Sequence, residues 1–290
     1  MKKFALVGHP VAHSVSPAIH RTAYRELGFS HEYGLLDAPD EASVAAVFDA
    51  LRSGELAGVN VTVPWKRLAL SLADRRAPSA ASVGAANVLA PGSDGVVAHN
   101  TDVPALVEEL AALNPAPRGV LVLGGGGAAL GVVAAARTFG SARVGVSARR
   151  FAGDARETWP LAQELTALGA ELVAWPAPGN DSEFEAFARG ADIVVQATSA
   201  GMHGADSGAA IAAMVPWGLL PVGASAYDLV YNPRETEFLR AARAASVTAC
   251  GGLGMLVRQA ALAFEIWLGV RPPLEPLLAA AEAALEKRAQ

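Results

Sequence analysis

A glycine-rich run is the part of this sequence whose residue types and spacing most directly predict chemistry. Residues 120–129 read VLVLGGGGAA, and Gly124, Gly126 and Ala129 fit the dinucleotide-binding pattern G-x-G-x-x-G/A. In that pattern the first glycine makes a tight turn, the second lets the backbone approach a pyrophosphate, and the third small residue lets helix and strand pack closely. Such turns also occur for packing alone. The buried strand predicted before this one and the apolar helix predicted after it favour dinucleotide binding.

The end of the next predicted strand indicates which dinucleotide is bound. About 20 residues after the first glycine, an acidic residue would bind the ribose hydroxyls of NAD. The sequence at that place is Ser147-Ala148-Arg149-Arg150, which contains no acid. Because planar guanidinium groups suit a phosphate, the two arginines predict the 2′-phosphate of NADP. The alternative is that both arginines are merely solvated.

Two serines precede the first predicted helix, which runs over residues 17–27. Ser16 is a suitable N-cap for it, and Pro17 a suitable first residue. Ser14 adds a second hydroxyl beside free backbone N–H groups, and such a helix N-terminus could hold a small anion such as a carboxylate. From the local pattern a plain helix cap and an anion site are equally good interpretations.

Lys66 is a candidate for proton chemistry. It follows Pro64, which ends a strand predicted over residues 58–63 and starts a helix. Ligands of α/β proteins bind at the carboxyl ends of sheet strands, so a lysine at this place is a candidate site residue. The alternative, usual for a single lysine, is a solvated surface side chain.

Two other polar residues occupy informative positions. Asp102 precedes a helix predicted over residues 105–113, where a carboxylate could simply stabilise the helix N-terminus. Gln259 shares one face of a helix predicted over residues 253–268 with apolar residues. A buried amide needs a hydrogen-bond partner, which is either backbone or a polar ligand.

The elements that must position these residues alternate between strands and helices. The predicted strands are 4–8, 32–36, 58–63, 84–89, 95–98, 120–123, 143–147, 171–175, 192–198, 224–230 and 247–250. The main predicted helices are 17–27, 41–52, 105–113, 161–168, 235–245, 253–268 and 274–288. A turn is predicted at residues 91–94 and a hinge at residues 114–117. From the glycine-rich run onward this alternation predicts a parallel, doubly wound sheet.

Bulk composition narrows the class of protein. The 290 residues are 52% hydrophobic and 18% charged, which describes a compact globular protein long enough for two domains. A net charge of −5 argues against a nucleic-acid partner. The single cysteine, Cys250, can form neither an intrachain disulfide nor a zinc site, and the apolar run at 4–7 is too short for a signal peptide. A cytoplasmic protein is therefore expected.

A membrane-spanning helix is not expected either. Residues 119–136 carry no charge, which superficially resembles a membrane span. Six of these eighteen residues are glycine, and four stand together in the middle of the stretch. A helix exposed to lipid would be broken there, so a buried strand, turn and helix explain the stretch better.

Eight segments taken together resemble the shikimate dehydrogenase family along nearly the whole chain. They read GHPVAHSVSPAIH (8–20), NVTVPWK (60–66), GAANVL (84–89), NTD (100–102), GGGGAA (124–129), ATSAGM (197–202), DLVYNP (228–233) and GLGMLVRQA (252–260). The resemblance implies a two-domain α/β enzyme with a cleft. An amino-terminal substrate domain would span 1–103 and be completed by helices at 253–290. A Rossmann-type doubly wound NADP domain would span 104–252.

The resemblance also implies an activity, the reversible reduction of 3-dehydroshikimate to shikimate by NADPH in the pathway to aromatic amino acids. Lys66 and Asp102 would form the catalytic pair. Hydride delivery to a carbonyl builds negative charge on oxygen, so an acidic cation is a suitable neighbour. Ser14 and Ser16 would bind the substrate carboxylate, which decides between the two interpretations of these serines.

The family pattern assigns further contacts residue by residue. Those to the substrate would come from Thr62, Asn87, Asp102, Tyr231 and Gln259. Those to the cofactor would come from Gly124, Gly125, Gly126, Gly127, Ala128, Ala129, Arg149, Arg150, Thr198, Ser199, Met202 and Gly252. No metal ion is expected, and the assembly would be a monomer or a homodimer.

The sequence departs from the family pattern without losing an implied catalytic group. The departures are Arg21 for Asn or Asp, Val88 for Thr, Val103-Pro104 after Asp102, Ala105 for Gly, Gly251 for Asp, and an Asn-Arg-Thr motif of which only Arg149 remains. A paralogue acting on quinate or an amino analogue of shikimate is therefore an alternative. A non-catalytic NADP-binding protein is another, but it would have no need of an intact Lys66 and Asp102.

Overall fold

The computed structural model describes residues 1–140, 142–151, 156, 158–177 and 181–289. The chain forms two compact units. The first consists of Met1–Ala105 with Leu256–Gln290, and the second of Leu106–Met255. Within the described residues, no helix combines the length and apolar character needed to cross a membrane.

The first unit contains a mixed six-stranded sheet. Its strands are β1 (Lys3–Gly8), β2 (Glu32–Asp37), β3 (Gly58–Val61), β4 (Arg75–Arg76), β5 (Val88–Gly92) and β6 (Gly95–His99). They are arranged in the order β2-β1-β3-β5-β6-β4. β1 is parallel to both of its neighbours, whereas β5 is antiparallel to β3 and β6.

Helices surround this sheet and connect its strands. They are α1 (Ser16–Glu26), α2 (Glu41–Arg52), α3 (Lys66–Leu72), α4 (Pro78–Ala81), the start of α5 (Asp102–Leu113), the end of α11 (Leu253–Leu268), and α12 (Leu274–Ala289). The last helix packs along α1.

Helix α2 shows how the sequence pattern determines packing in the first unit. Its buried residues Val44, Val47, Phe48 and Leu51 recur at helical spacing and therefore form one apolar stripe. The stripe lies in a core that also contains Leu89 of β5. Each side chain of this size contributes about 1.5–3 kcal/mol when it is fully buried.

The second unit contains a six-stranded sheet in which every pairing is parallel. Its strands are β7 (Gly119–Leu123), β8 (Arg143–Ser147), β9 (Glu171–Val173), β10 (Ile193–Gln196), β11 (Ser225–Asp228) and β12 (Thr248–Gly251). The connecting helices are α6 (Gly127–Arg137), α7 (Ala162–Ala167), α8 (Ser182–Ala188), α9 (Ala209–Met214) and α10 (Glu237–Ala244). The order β12-β11-β10-β7-β8-β9 reverses direction at β7 and confirms the predicted doubly wound sheet.

Two strands of the first unit begin or end at residues other than those predicted. The strand expected over 58–63 ends at Val61, and the strand expected over 84–89 begins only at Val88. β5 continues through Gly92 and β6 begins at Gly95, so the turn between these two strands is shorter than the predicted 91–94. Proline is tolerated at position 91 because β5 pairs with β3 only through its first two residues, and no ladder bond is lost there.

Among the strands and α-helices of the described residues, four short ones are not predicted from the sequence. They are β4, α4, α8 and α9, of two, four, seven and six residues. A strand of two residues, or a helix of two turns or fewer, shows too few apolar repeats for its period to be recognised. Their positions follow from the sheets they connect rather than from a local pattern.

Asp228, at the end of β11, is a buried carboxyl group whose protonation is linked to folding. It accepts hydrogen bonds from the Thr236 hydroxyl at 2.6 Å and the Val230 N–H at 2.9 Å. Burial nevertheless raises its pKa from 3.8 to about 6, against the opposing effect of these bonds. Between these two values the folded chain holds a proton that the unfolded chain has lost, so stability decreases as the pH rises.

The stability of Asp228→Asn relative to the parent is expected to rise by about 3 kcal/mol in total as the pH rises from below 4 to above 6. The amide oxygen can accept the Val230 N–H, the amide NH2 can donate to the Thr236 hydroxyl, and there is no buried charge. Thermal unfolding of both proteins at several pH values measures this difference. Asp192→Asn is the control of opposite sign, because a bond from the Arg118 side chain lowers the pKa of Asp192. A pH-independent difference for Asp228→Asn would contradict the linkage.

Candidate active site

An ion pair in the first unit lies at the amino ends of two helices. Lys66 is the first residue of α3 and Asp102 is the first residue of α5. The Lys66 Nζ is 2.8 Å from the Asp102 Oδ2, and the two side chains are 35% and 18% exposed. The pair is therefore formed but still open to a ligand. Such an arrangement can hold a proton beside a reacting oxygen.

Asn100 fixes the backbone from which Asp102 projects. Its Oδ1 accepts the N–H groups of Asp102 at 3.0 Å and Val103 at 3.1 Å, as an N-cap does. Asn100 is itself buried, and its Nδ2 donates to the Ala85 carbonyl. The cap role is not predicted from the sequence, although an Asn two residues before the first helical residue is a recognisable signal.

Asn87 connects Asp102 to Gln259. The Asn87 Nδ2 lies 2.9 Å from the Asp102 Oδ1, 2.9 Å from the Thr101 Oγ1 and 3.4 Å from the Gln259 Oε1. The Asn87 Oδ1 accepts the Thr101 N–H. Gln259 in turn donates to the Leu256 carbonyl, so its partners are both backbone and side chain. The structure thus brings together Lys66, Asn87, Asp102 and Gln259.

Two further predicted substrate residues, Thr62 and Tyr231, lie shortly after the ends of β3 and β11. Thr62 follows the last residue of β3, is half-buried, and donates its backbone N–H to the Val7 carbonyl. Tyr231 belongs to the second unit, three residues after β11, and is also half-buried.

Ser16 does not occupy the predicted N-cap position of α1. Helix α1 begins at Ser16 itself, its N-cap is Val15, and no side chain caps it. The prediction that Ser16 is the N-cap is therefore wrong. The proline at position 17 is compatible with either start, because any residue of the first turn can do without its N–H.

The two hydroxyl groups lie next to each other instead. The Ser14 Oγ donates to the Ser16 Oγ at 3.0 Å and accepts the Ser16 N–H at 3.2 Å. The carbonyls of His13 and Ser14 accept bonds from Arg288 of α12, which fixes this loop. Paired hydroxyls at the N-terminus of an eleven-residue helix are suited to a small anion.

The glycine-rich run forms the predicted turn between β7 and α6 in the second unit. Gly124 has φ of +124°, and a Cβ there would lie 2.9 Å from the Ala197 carbonyl oxygen, so only glycine fits. Gly126 precedes α6, which no side chain caps. A backbone that can closely approach a ligand, followed by an uncapped helix N-terminus, suits a pyrophosphate.

A cavity of about 320 Å³ opens beside this turn. The predicted cofactor residues that line it are Gly124, Gly125, Gly126, Arg149, Arg150, Thr198 and Ser199. Those outside its lining are Gly127, Ala128, Ala129, Met202 and Gly252. Gly252 has a packing role, because a Cβ there would clash with the Leu229 carbonyl oxygen.

The two arginines of the cavity have different neighbours. The Arg149 Nη1 lies 3.7 Å from a carboxylate oxygen of Asp206, and both side chains are about three-quarters exposed. The Arg150 guanidinium lies over the ring of Trp159, 4.6 Å from its centre. Asp206 and Trp159 also line the cavity, and the sequence pattern singled out neither. The glycine-rich turn, the N-terminus of α6 and the two arginines are together suited to a dinucleotide that carries an additional phosphate, as NADP does.

The chain is similar in sequence to known shikimate dehydrogenases. Residues 6–89 match the family model of the shikimate dehydrogenase substrate binding domain, and residues 252–282 match that of the shikimate 5′-dehydrogenase C-terminal domain. A protein named shikimate dehydrogenase (NADP(+)) from Methylobacillus flagellatus is 38% identical, covering 98% of this chain and 100% of its own. Its counterpart from Symbiobacterium thermophilum is 36% identical, covering 97% and 94%.

Solved structures extend the similarity to the fold. Shikimate 5-dehydrogenase from Thermus thermophilus, in complex with NADP(H) and shikimate, gives a TM-score of 0.81 at 36% identity, covering 98% of this chain and 100% of that one. The ligand-free 5-ketofructose reductase of Gluconobacter sp. strain CHM43 also gives a TM-score of 0.81, at 27% identity, covering 97% and 98%.

Proposed function

Because this chain belongs to the shikimate dehydrogenase family, we propose that it catalyses the reversible, NADP-dependent reduction of 3-dehydroshikimate to shikimate. The observation that carries the proposal is the 2.8 Å ion pair of Lys66 and Asp102. This pair adjoins the amide groups of Asn87 and Gln259. A proton donor beside hydrogen-bonding groups is what a carbonyl reduction on a hydroxylated ring requires.

The residues of the first unit would divide the chemistry among them. When bound, NADPH supplies the hydride. Lys66 would donate its Nζ proton to the former carbonyl oxygen as negative charge develops there, and in the reverse direction the pair would accept the hydroxyl proton. Asp102 orients the Nζ, and Asn87 holds the other oxygen of that carboxylate.

Binding of the substrate would rest on the remaining groups. Ser14 and Ser16 would hold its carboxylate, which is supported by their adjacent hydroxyls at the start of α1. Besides Asp102, the residues Thr62, Asn87 and Gln259 would contact ring hydroxyls, and Tyr231 is assigned to the site by its motif alone. The polar atoms of Thr62, Asn87 and Gln259 are donors and acceptors without permanent charge, which suits hydroxyl groups and not a second anion.

Substitution of either serine should weaken substrate binding specifically. For Ser14→Ala and Ser16→Ala we expect the KM for shikimate to rise about 10- to 100-fold, because each loses a hydrogen bond of ~1.5–3 kcal/mol to a charged group. Steady-state kinetics measures this, and the KM for NADP should not change. Ser71→Ala, an exposed serine on α3, is the matched control. A loss of thermal stability alone would leave these serines with a purely structural role.

Substrate choice is tested by a spectrophotometric screen with NADP and with NAD. Shikimate should give the highest kcat/KM, above quinate and aminoshikimate. 5-Ketofructose is included because a structurally similar enzyme reduces it, as its name states. Faster turnover of quinate or aminoshikimate would indicate a paralogue. Binding of NADP without turnover of any of these compounds would indicate a non-catalytic protein and overturn the proposal.

We also propose a cytoplasmic enzyme that works as a monomer or a homodimer. The single Cys250 needs no oxidising environment, which supports a reducing compartment. Light scattering coupled to size-exclusion chromatography distinguishes the two assemblies by mass.

A further inference from the structure

Trp159 contacts both parts of the cofactor cavity that the proposed function uses. Its indole Nε1 donates to the Gly125 carbonyl at 2.8 Å, within the glycine-rich turn. Its ring lies under the Arg150 guanidinium, at 4.6 Å from ring centre to guanidinium carbon. One side chain therefore connects the predicted pyrophosphate turn to one of the two predicted phosphate-binding arginines.

The contact with Trp159 distinguishes Arg150 from Arg149. A guanidinium over an aromatic face is attracted by the ring and keeps the N–H donors at its edge free for another partner. Arg149 instead has the carboxylate of Asp206 close by, which reduces the positive potential it offers to a phosphate. Among the residues that the structure describes, no carboxylate forms such a pair with Arg150.

We propose that Trp159 is a positioning residue that makes this cavity selective for adenosine carrying a 2′-phosphate. It holds Arg150 over its ring, and Arg150 is the group that binds the phosphate. The hydrogen bond to Gly125 keeps the ring itself in place. The inference rests on the proposed use of NADP, and it adds a residue that the sequence pattern of the site does not contain.

The test measures binding of two fragments by isothermal titration calorimetry, so it does not depend on turnover. One fragment is adenosine 2′,5′-bisphosphate, and the other is adenosine 5′-monophosphate, which lacks the 2′-phosphate. Selectivity for that phosphate is reported by the Kd of adenosine 5′-monophosphate divided by the Kd of adenosine 2′,5′-bisphosphate. Trp159→Gln keeps an N–H donor for Gly125 but removes the aromatic face. We expect it to reduce the ratio about 3- to 30-fold, the range of a cation–π contact.

Two further variants separate positioning from simple packing. Trp159→Phe keeps the ring face and loses the N–H, so the ratio should stay within about twofold of the parent even if both fragments bind more weakly. In an Arg150→Ala background, Trp159→Gln should cause no further loss of selectivity. Trp217→Phe is the matched control, because its indole also donates to a backbone carbonyl but lies outside the cavity lining.

The outcomes separate this proposal from the one it rests on. A parent protein that binds both fragments equally would refute the NADP assignment, and the role of Trp159 with it. A selective parent whose ratio is unchanged in Trp159→Gln would leave NADP use intact and overturn the role of Trp159 alone. If Trp159→Gln does not fold, Trp159→Leu removes the same aromatic face and gives the same comparison.

Discussion

Lys66→Ala is expected to lower kcat for shikimate oxidation by about 10²- to 10⁴-fold, the usual span for a positioned acid or base. The KM for shikimate should change much less, because ground-state binding would rest mainly on Ser14, Ser16 and Gln259. The physical reason is the loss of the proton donor that lies 2.8 Å from Asp102. Steady-state kinetics with NADP over a range of pH measures both parameters.

Arg67→Ala is the matched control for this variant. Arg67 is the next residue along α3 and is also cationic, but it is exposed. Its removal should leave kcat near the parent value. If Lys66→Ala also turned over at a near-normal rate, Lys66 would have no part in the proton transfer, and Asp102 would need another partner.

The parts of the fold that the sequence predicts well are those where one residue type has a single structural use. Gly124 is one, since its positive φ and the nearby Ala197 carbonyl exclude any side chain. The apolar stripe of α2 is another, because four buried residues recur at the helical period. Such local constraints act before any tertiary contact is known, so they can be read from the chain.

The parts that the sequence predicts poorly depend on distant partners. β5 begins later than expected because its extent is set by pairing with β3 and β6, not by its own residues. Ser16 is a favourable cap by type, but Ser14 bonds to it and α1 starts one residue earlier than a Ser16 cap requires. Propensity is a weak preference that such contacts override.

The candidate site shows the same division. Asn87 and Gln259 are 172 residues apart in the chain and meet only through the fold. Family resemblance therefore named them, whereas spacing alone could not. Trp159 and Asp206 were missed for the same reason, because each faces the arginines from a different loop and neither belongs to a motif. The roles of these residues in catalysis and binding remain predictions for the experiments above.

Cofactor choice should depend on the arginines that follow β8. Loss of one charge-assisted contact of ~1.5–3 kcal/mol should raise the KM for NADP about 10- to 100-fold. We expect Arg150→Ala to have the larger effect, because Asp206 already competes for Arg149. The slower reaction with NAD should hardly change, since NAD has no phosphate at that position.

The decisive measurement is the NADP/NAD ratio of kcat/KM in Arg149→Ala and Arg150→Ala. Arg143→Ala is the control, because Arg143 is the first residue of β8, which precedes the two arginines, but it pairs with Glu171 away from the cavity lining. Asp206→Asn provides a test of opposite sign, since release of Arg149 should raise the ratio. Should the parent already prefer NAD, or should neither arginine variant lower the ratio, these arginines do not recognise the 2′-phosphate and the cofactor assignment fails.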